Sequence, residues 1–263
     1  MFRLGIVQFS PARCDVAANV AAVERLLDGV EADLLVLPEL ANSGYLYSSP
    51  QTLAPFSEPG DGSGLFLSTL QRLAGQIGGV IVAGFSEQAP KGLYNSAAAV
   101  GAAGVIQVYR KTHLFADEKL LFLPGDTGFH IFQYAGVRVG MMVCFDWFFP
   151  ESARTLALRG AQIIAHPSNL VLPYCQTAMF ARCLENRVFA VTTNRYGTEE
   201  LAGKHLTFTG ASQIMAPRGE RLSQAPTGAD CVVVVDIDPA AADDKHVTAR
   251  NDLFADRRPE MYA

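Results

Sequence analysis

Short apolar runs alternate with helical spacings along most of the chain. Leu4 to Phe9 predicts a buried strand. Asp15 is placed to cap a helix whose apolar stripe is Val16, Val20, Val23, Leu26, Leu27 and Val30. Leu34 to Leu37 predicts a second strand, stopped by Pro38, and Leu65 to Ile77 has helical spacing at Leu65, Phe66, Leu70, Leu73 and Ile77. Val80 to Phe85 is again strand-like. The rhythm then changes: Ser96 to Val100 and Val105 to Tyr109 flank a Gly-Ala-Ala-Gly turn and predict a hairpin. Further on, strands are expected at Val137–Val143, Gln162–Ala165 and Val188–Thr192, and helices at Pro150–Arg159 and Thr177–Asn186. Thr209–Met215 and Cys231–Ile237 read as a late β pair across a Pro-Arg-Gly turn, and the chain from about Val247 is polar and irregular. Alternation with hairpins mixed in predicts a mixed sheet system covered by helices, in one domain. Strands apolar at nearly every position are those with both faces covered.

Ligands of open α/β folds bind beyond the carboxyl ends of strands. Three apolar runs end on reactive side chains: DLLVLP on Glu39, VIQVYR on Lys111 and GMMV on Cys144. The trio makes chemical sense. A thiol attacks carbon only as thiolate. A carboxylate in a dry pocket can take its proton, and an ammonium can hold the negative charge that develops. GMMVCFDWFFPESAR reads as strand, tight turn and helix, a nucleophile elbow in mechanics though without G-x-S-x-G. Such an elbow would lift the Cys144 sulfur to the helix entrance, where the dipole favours thiolate. It would also leave the Phe145 backbone N–H as a second oxyanion donor.

Composition narrows the function classes. The 263 residues carry 21 Lys and Arg against 26 Asp and Glu, a net charge of −5, which argues against a nucleic-acid binder. The N-terminus lacks the apolar core of a signal peptide, and no run approaches the ~18 apolar residues of a membrane span. A soluble, cytoplasmic protein is expected. The cysteines, Cys14, Cys144, Cys175, Cys183 and Cys231, are odd in number and none pairs at CxxC spacing, so neither a disulfide framework nor a structural zinc site is expected.

With these segments in view, the chain resembles the nitrilase superfamily of carbon–nitrogen hydrolases over nearly its full length. The resemblance is carried by LLVLPELANSGY around Glu39, YRKTHLFADEKLLFLPGD around Lys111 and GMMVCFDWFFPESARTLALRGAQIIAHPSN around Cys144, with LENRVF and RNDLFADRRPE in support. It implies a four-layer αββα sandwich formed by residues 1–263 as one domain, a Glu–Lys–Cys triad, and neither cofactor nor metal. The leading expectation is hydrolysis of a small aliphatic amide to acid and ammonia through a thioester, with a nitrile or an N-carbamoyl compound as the alternative substrate. The resemblance also implies pairing of subunits into a homodimer or larger assembly, with residues 247–263 as a tail at the interface. Glu118, in FADEKL, takes the place of the second glutamate that family members often carry, with a loop charge as the alternative. The motif does not choose between amidase and aliphatic nitrilase. A catalytically silent scaffold and a redox-sensing cysteine, with Cys175 or Cys183 as resolving thiol, are the rival classes.

Other residues rank lower. Asn169 in HPSNL and Tyr45 after the Glu39 strand are candidate substrate contacts. Trp147 is a candidate pocket wall, with core or interface as the alternative. His113 and His166 follow strand ends, but the Glu/Lys set already supplies a base and a cation, so neither is expected to be catalytic.

Overall fold

The computed structural model describes residues 1–262. In the first half of the chain, β1 (Phe2–Gln8), α1 (Val16–Leu27), β2 (Leu34–Val36), the short α2 (Pro50–Leu53), α3 (Leu65–Ile77) and β3 (Val80–Ala89) lead into the hairpin of β4 (Gly92–Gly101) and β5 (Gly104–Arg110), followed by one turn of helix, α4 (Glu118–Leu121). In the second half, β6 (Ile131–Tyr134), β7 (Val137–Met141), α5 (Pro150–Leu158), β8 (Ile163–Ser168), α6 (Cys175–Asn186) and β9 (Phe189–Asn194) are followed by β10 (Tyr196–Leu201), β11 (Lys204–Thr209), β12 (Gln213–Met215), β13 (Arg221–Gln224), β14 (Cys231–Ile237), β15 (His246–Thr248) and β16 (Asn251–Asp252).

Alternation along the strands makes the layers. In β2, Leu34 and Val36 pack into a core shared with the second sheet, through Val139, Met141, Ile164 and Val191. Leu35 and, just beyond the strand, Leu37 face the other way, against Val20 and Val23 of α1 and Phe66, Leu70 and Leu73 of α3. One sheet face therefore buries against a sheet and the other against helices, which explains strands apolar at every position. Helix α1 begins where Asp15 accepts from the Ala18 N–H, and α3 stops at Gly78 in a left-handed C-cap. The result is the four-layer αββα sandwich.

The sheets have strand orders β14-β1-β2-β3-β4-β5 and β13-β12-β9-β8-β7-β6. Each has three parallel strands (β1 to β3, β7 to β9) flanked by antiparallel ones, so the two halves repeat one topology that no sequence repeat reveals. Two antiparallel steps from β3 bring β5 back to the direction of β2. Their carboxyl ends, carrying Glu39 and Lys111, therefore lie at the same edge.

The expected late β pair is wrong. Gln213–Met215 joins the second sheet between β9 and β13, and the Pro-Arg-Gly turn links it to β13. Cys231–Ile237 instead pairs over seven residues with β1, from Phe2↔Ile237 to Gln8↔Cys231, in the first sheet. The chain thus passes from the second sheet to the first between β13 and β14, a long-range choice that local pattern does not encode. The β10–β11 hairpin is also unforeseen: its strands, YGTEEL and KHLTFT, lack an apolar run. The stretch from Val247 is less irregular than expected, because it holds the β15–β16 pair.

Candidate active site

Glu39 follows Pro38, which ends β2 by offering no N–H to the ladder. The turn packs so closely on β3 that a Cβ at Gly84 would fall 2.4 Å from the Glu39 Cα. Lys111 follows β5, and Glu118 opens α4. All three side chains are buried, Lys111 and Glu39 completely. The Lys111 ammonium donates to Glu39 Oε1 at 2.7 Å and to both oxygens of Glu118 at 2.9 and 2.8 Å. Glu118 also accepts from the Tyr45 hydroxyl at 2.8 Å and the Phe115 N–H at 3.2 Å. Glu39 Oε1 accepts a second bond, from the Asn95 side-chain amide at 2.7 Å, while Glu39 Oε2 is buried with no hydrogen-bond partner among the described residues.

Cys144 stands three residues past β7, at φ 40°, a left-handed conformation costly for any residue with a Cβ. It opens a 3-10 turn, Cys144–Phe148, and α5 starts only at Pro150. The sulfur is thus not at the entrance of the long helix, and the expected dipole effect does not operate there. Burial and the charge of Glu39 push the thiol well above its ordinary pKa; Lys111 and the Asn169 backbone N–H pull the other way but lose. The resting group is a thiol, and a base must remove its proton. Burial works against the Lys111 ammonium, but the charges of Glu118 and Glu39 outweigh it and raise its pKa, so the cation persists. Burial pushes the Glu118 carboxyl up, with Lys111 opposing.

Asp146 fixes the Cys144 turn to the segment bearing Lys111. Fully buried, it accepts from the Val143 N–H at 2.9 Å and the Tyr109 hydroxyl at 2.7 Å, and from the His113 N–H at 3.1 Å. The His113 ring contacts the same carboxylate at 2.7 Å and stacks on Phe149 with centroids 3.7 Å apart.

A small pocket opens on Cys144, lined by Phe115, Phe145, Trp147, Asn169, Leu170, Val171 and Leu172. Asn169, Phe145 and Trp147 thus lie beside Cys144 in one pocket. Both polar atoms of the Asn169 side chain are buried without a partner. Tyr45 is not in this lining; it borders a neighbouring pocket with Phe115, Leu121, Lys204 and Leu206, and acts on the cluster through Glu118. The five cysteines are free thiols. Sequence reading missed Asn95 and Asp146. Asn95 had a usable signal, a lone amide inside the apolar β4; Asp146 had one in its place two residues after Cys144.

Residues 3–245 match the carbon–nitrogen hydrolase family model. The chain belongs to that family and is a hydrolase of the nitrilase/amidase type. It is 43% identical to a protein named nitrilase from Pyrococcus abyssi, over 100% of this chain and 99% of the relative. It is 32% identical to an N-carbamoylputrescine amidase from Arabidopsis thaliana, over 94% of this chain and 90% of the relative. Among solved structures, a mutant of an amidase of the nitrilase superfamily from Nesterenkonia AN1 superposes with a TM-score of 0.79 at 25% identity, over 98% of this chain and 95% of that one.

Proposed function

We propose that the protein hydrolyses a small, uncharged aliphatic amide to acid and ammonia, with Cys144 as nucleophile, Glu39 as base and Lys111 as oxyanion-holding cation. The observation that carries this reading is the asymmetry of Glu39. One oxygen is tied to Lys111 and Asn95; the other is buried and unengaged, in a site whose thiol is protonated and feels Glu39 more than any other charge.

Glu39 Oε2 takes the thiol proton as Sγ attacks the carbonyl carbon. The oxyanion is held by the Lys111 ammonium and the Phe145 N–H. As the C–N bond breaks, Glu39 returns the proton to the leaving nitrogen and ammonia departs, leaving a thioester. Glu39 then deprotonates a water that attacks the thioester carbon; the acid leaves and Glu39 reprotonates the sulfur. Glu118 holds Lys111 while Glu39 cycles through its protonated form, and Asn169 offers the substrate an amide that has nothing else to bond.

The pocket lining contains no charged side chain, which favours a neutral acyl group over the ammonium-bearing substrate named for the plant relative. The name of the archaeal relative favours a nitrile as the second reading. The test is ammonia release across small amides, nitriles and N-carbamoyl compounds, alongside Cys144→Ala. Neutral amides leading the panel supports the proposal; a wild type silent on every compound, or an active Cys144→Ala, sinks it.

The same proposal includes a cytoplasmic homodimer or larger assembly. No helix among the described residues is long and apolar enough to cross a membrane. Phe180 and Leu184, one turn apart on α6, and the nearby Tyr174 are exposed, as are Val247, Met261 and Tyr262 of the tail, a set of apolar groups that a second copy would cover.

A further inference from the structure

His166 is wholly buried and contributes nothing to the pocket lining, yet it holds the backbone of the residue that carries the sulfur. Its Nε2 lies 2.9 Å from the carbonyl oxygen of Cys144. A carbonyl only accepts, so the proton is on Nε2. Nδ1 is then the acceptor for the Thr192 hydroxyl at 3.1 Å, and that bond selects the tautomer. His166 and Thr192 are register partners in the parallel pair β8–β9, so the ring is mounted on the rigid centre of the second sheet. Ser168 Oγ lies 3.2 Å from Nε2 and donates to the His166 carbonyl at 3.3 Å. Burial brings the imidazole pKa down to about 4, so the ring is neutral at ordinary pH, and its one N–H is spent on the backbone.

From this geometry we infer that His166 is a positioning residue for the oxyanion site: by holding the Cys144 carbonyl it sets the direction and donor strength of the Phe145 N–H. The inference rests on the acyl-transfer reading above. Its physical basis is that the Cys144 C=O and the Phe145 N–H are two ends of one planar trans peptide, and so point in opposite directions. Fixing the carbonyl against β8 fixes the N–H toward the pocket. A donor at the carbonyl end also polarises the peptide and strengthens the N–H at the other end. The peptide needs such a restraint, because Cys144 sits at φ 40°, a conformation that persists only where its surroundings impose it.

The test compares two reactions of one sulfur. Amide hydrolysis develops an oxyanion, whereas alkylation by iodoacetamide displaces iodide from a saturated carbon and develops none. His166→Leu removes the donor; His166→Gln places an amide N–H near the position of Nε2; Thr192→Val removes the tautomer-setting hydroxyl with little change of volume. His166→Leu is expected to lower kcat about 10- to 100-fold, a fraction of the ~10²–10³ seen when an oxyanion donor is deleted outright, with KM changed less than threefold. Alkylation of Cys144 stays within threefold of wild type. His166→Gln recovers most of kcat, and Thr192→Val loses two- to tenfold. Parallel loss of hydrolysis and alkylation would mean that the turn itself collapses, and would overturn the inference; so would undiminished hydrolysis in both His166→Leu and Thr192→Val. Crystal structures of the variants separate this from the function proposed above. An unrotated Cys144–Phe145 peptide in His166→Leu refutes the inference whatever the enzyme hydrolyses, while a wild type that hydrolyses nothing refutes only the function.

Discussion

The backbone N–H of Lys111 donates to the carbonyl of Asn95 at 2.8 Å, and the two side chains then converge on a single atom, Oε1 of Glu39. The β4–β5 hairpin places them side by side: Ser96 pairs with Arg110, and the next step brings Asn95 against Lys111. Hairpin register therefore determines which oxygen of Glu39 is occupied and which is left for proton transfer. A one-residue slip would turn every side chain of β5 to the opposite face and dismantle the cluster.

Lys111→Met is expected to lower kcat by at least ~10², the scale of a lost oxyanion donor, with the fold retained. Glu118→Gln keeps a side chain of the same shape but removes one of two counter-charges, and is expected to cut amide turnover strongly while Cys144 still alkylates. Steady-state kinetics and intact-mass labelling read both variants. A loss below tenfold in Lys111→Met would mean that another group holds the charge, and more than half of wild-type turnover in Glu118→Gln would reduce Glu118 to a structural charge.

The nucleophile turn carries a stability cost that can be measured. A residue with a Cβ in the left-handed region costs roughly 1–2 kcal/mol, which glycine escapes. Cys144→Ala keeps the strain and Cys144→Gly releases it, and the latter gains despite its greater unfolded-state freedom. Cys144→Gly should melt ~2–4 °C above Cys144→Ala, about 1 kcal/mol for a domain of this size. Calorimetry of the two inactive variants decides this; an equal or lower Tm for the glycine variant would show the turn to be unstrained.

Much of this architecture was readable from the chain, and the exceptions have physical reasons. The apolar runs that become β1, β2, β3, β7, β8 and β9 are buried on both faces, so their signal is strong and local. Among the strands that went unread, β10 and β11 are half-exposed and polar, and they gain their place by pairing with each other and by bringing Glu199 to the Tyr45 and Leu46 N–H groups. Strand β14 was seen as a strand but assigned the wrong neighbour, because its pairing with β1 spans nearly the whole chain. At the site, Glu39, Lys111 and Cys144 were marked by ending apolar runs. Asp146 was missed although it stands two residues after Cys144, and His166 was noticed at a strand end but set aside, since a bond to a backbone carbonyl leaves no trace in hydrophobic pattern.

Assembly is open to a direct test. Phe180→Glu puts a charge at the centre of the exposed α6 face while leaving the pocket untouched. Sedimentation equilibrium is expected to show a dimer or larger species for wild type and dissociation for the variant, with a truncation before Val247 also weakening assembly. A monomeric wild type at micromolar concentration would remove the homodimer from the proposal.

The last expectation concerns acid stability and follows from His166. In the unfolded chain its imidazole binds a proton near 6.5; in the folded protein burial holds that back to about 4, with Asp146 and Glu39 favouring the proton and Lys111 opposing it. Between these values the unfolded state binds more protons than the folded one, so stability rises with pH across the window. The contribution is fully present above about 6.5 and is lost as pH falls toward 4, amounting to ~3 kcal/mol over the interval. His166→Gln keeps a donor for the Cys144 carbonyl but has nothing to titrate. Its urea midpoint should therefore fall less steeply than that of wild type between pH 6.5 and 4, whatever its stability at neutral pH. Parallel curves would mean that the ring reaches water or gains its proton without breaking the bond to Cys144, and the neutral, backbone-holding imidazole would have to be abandoned.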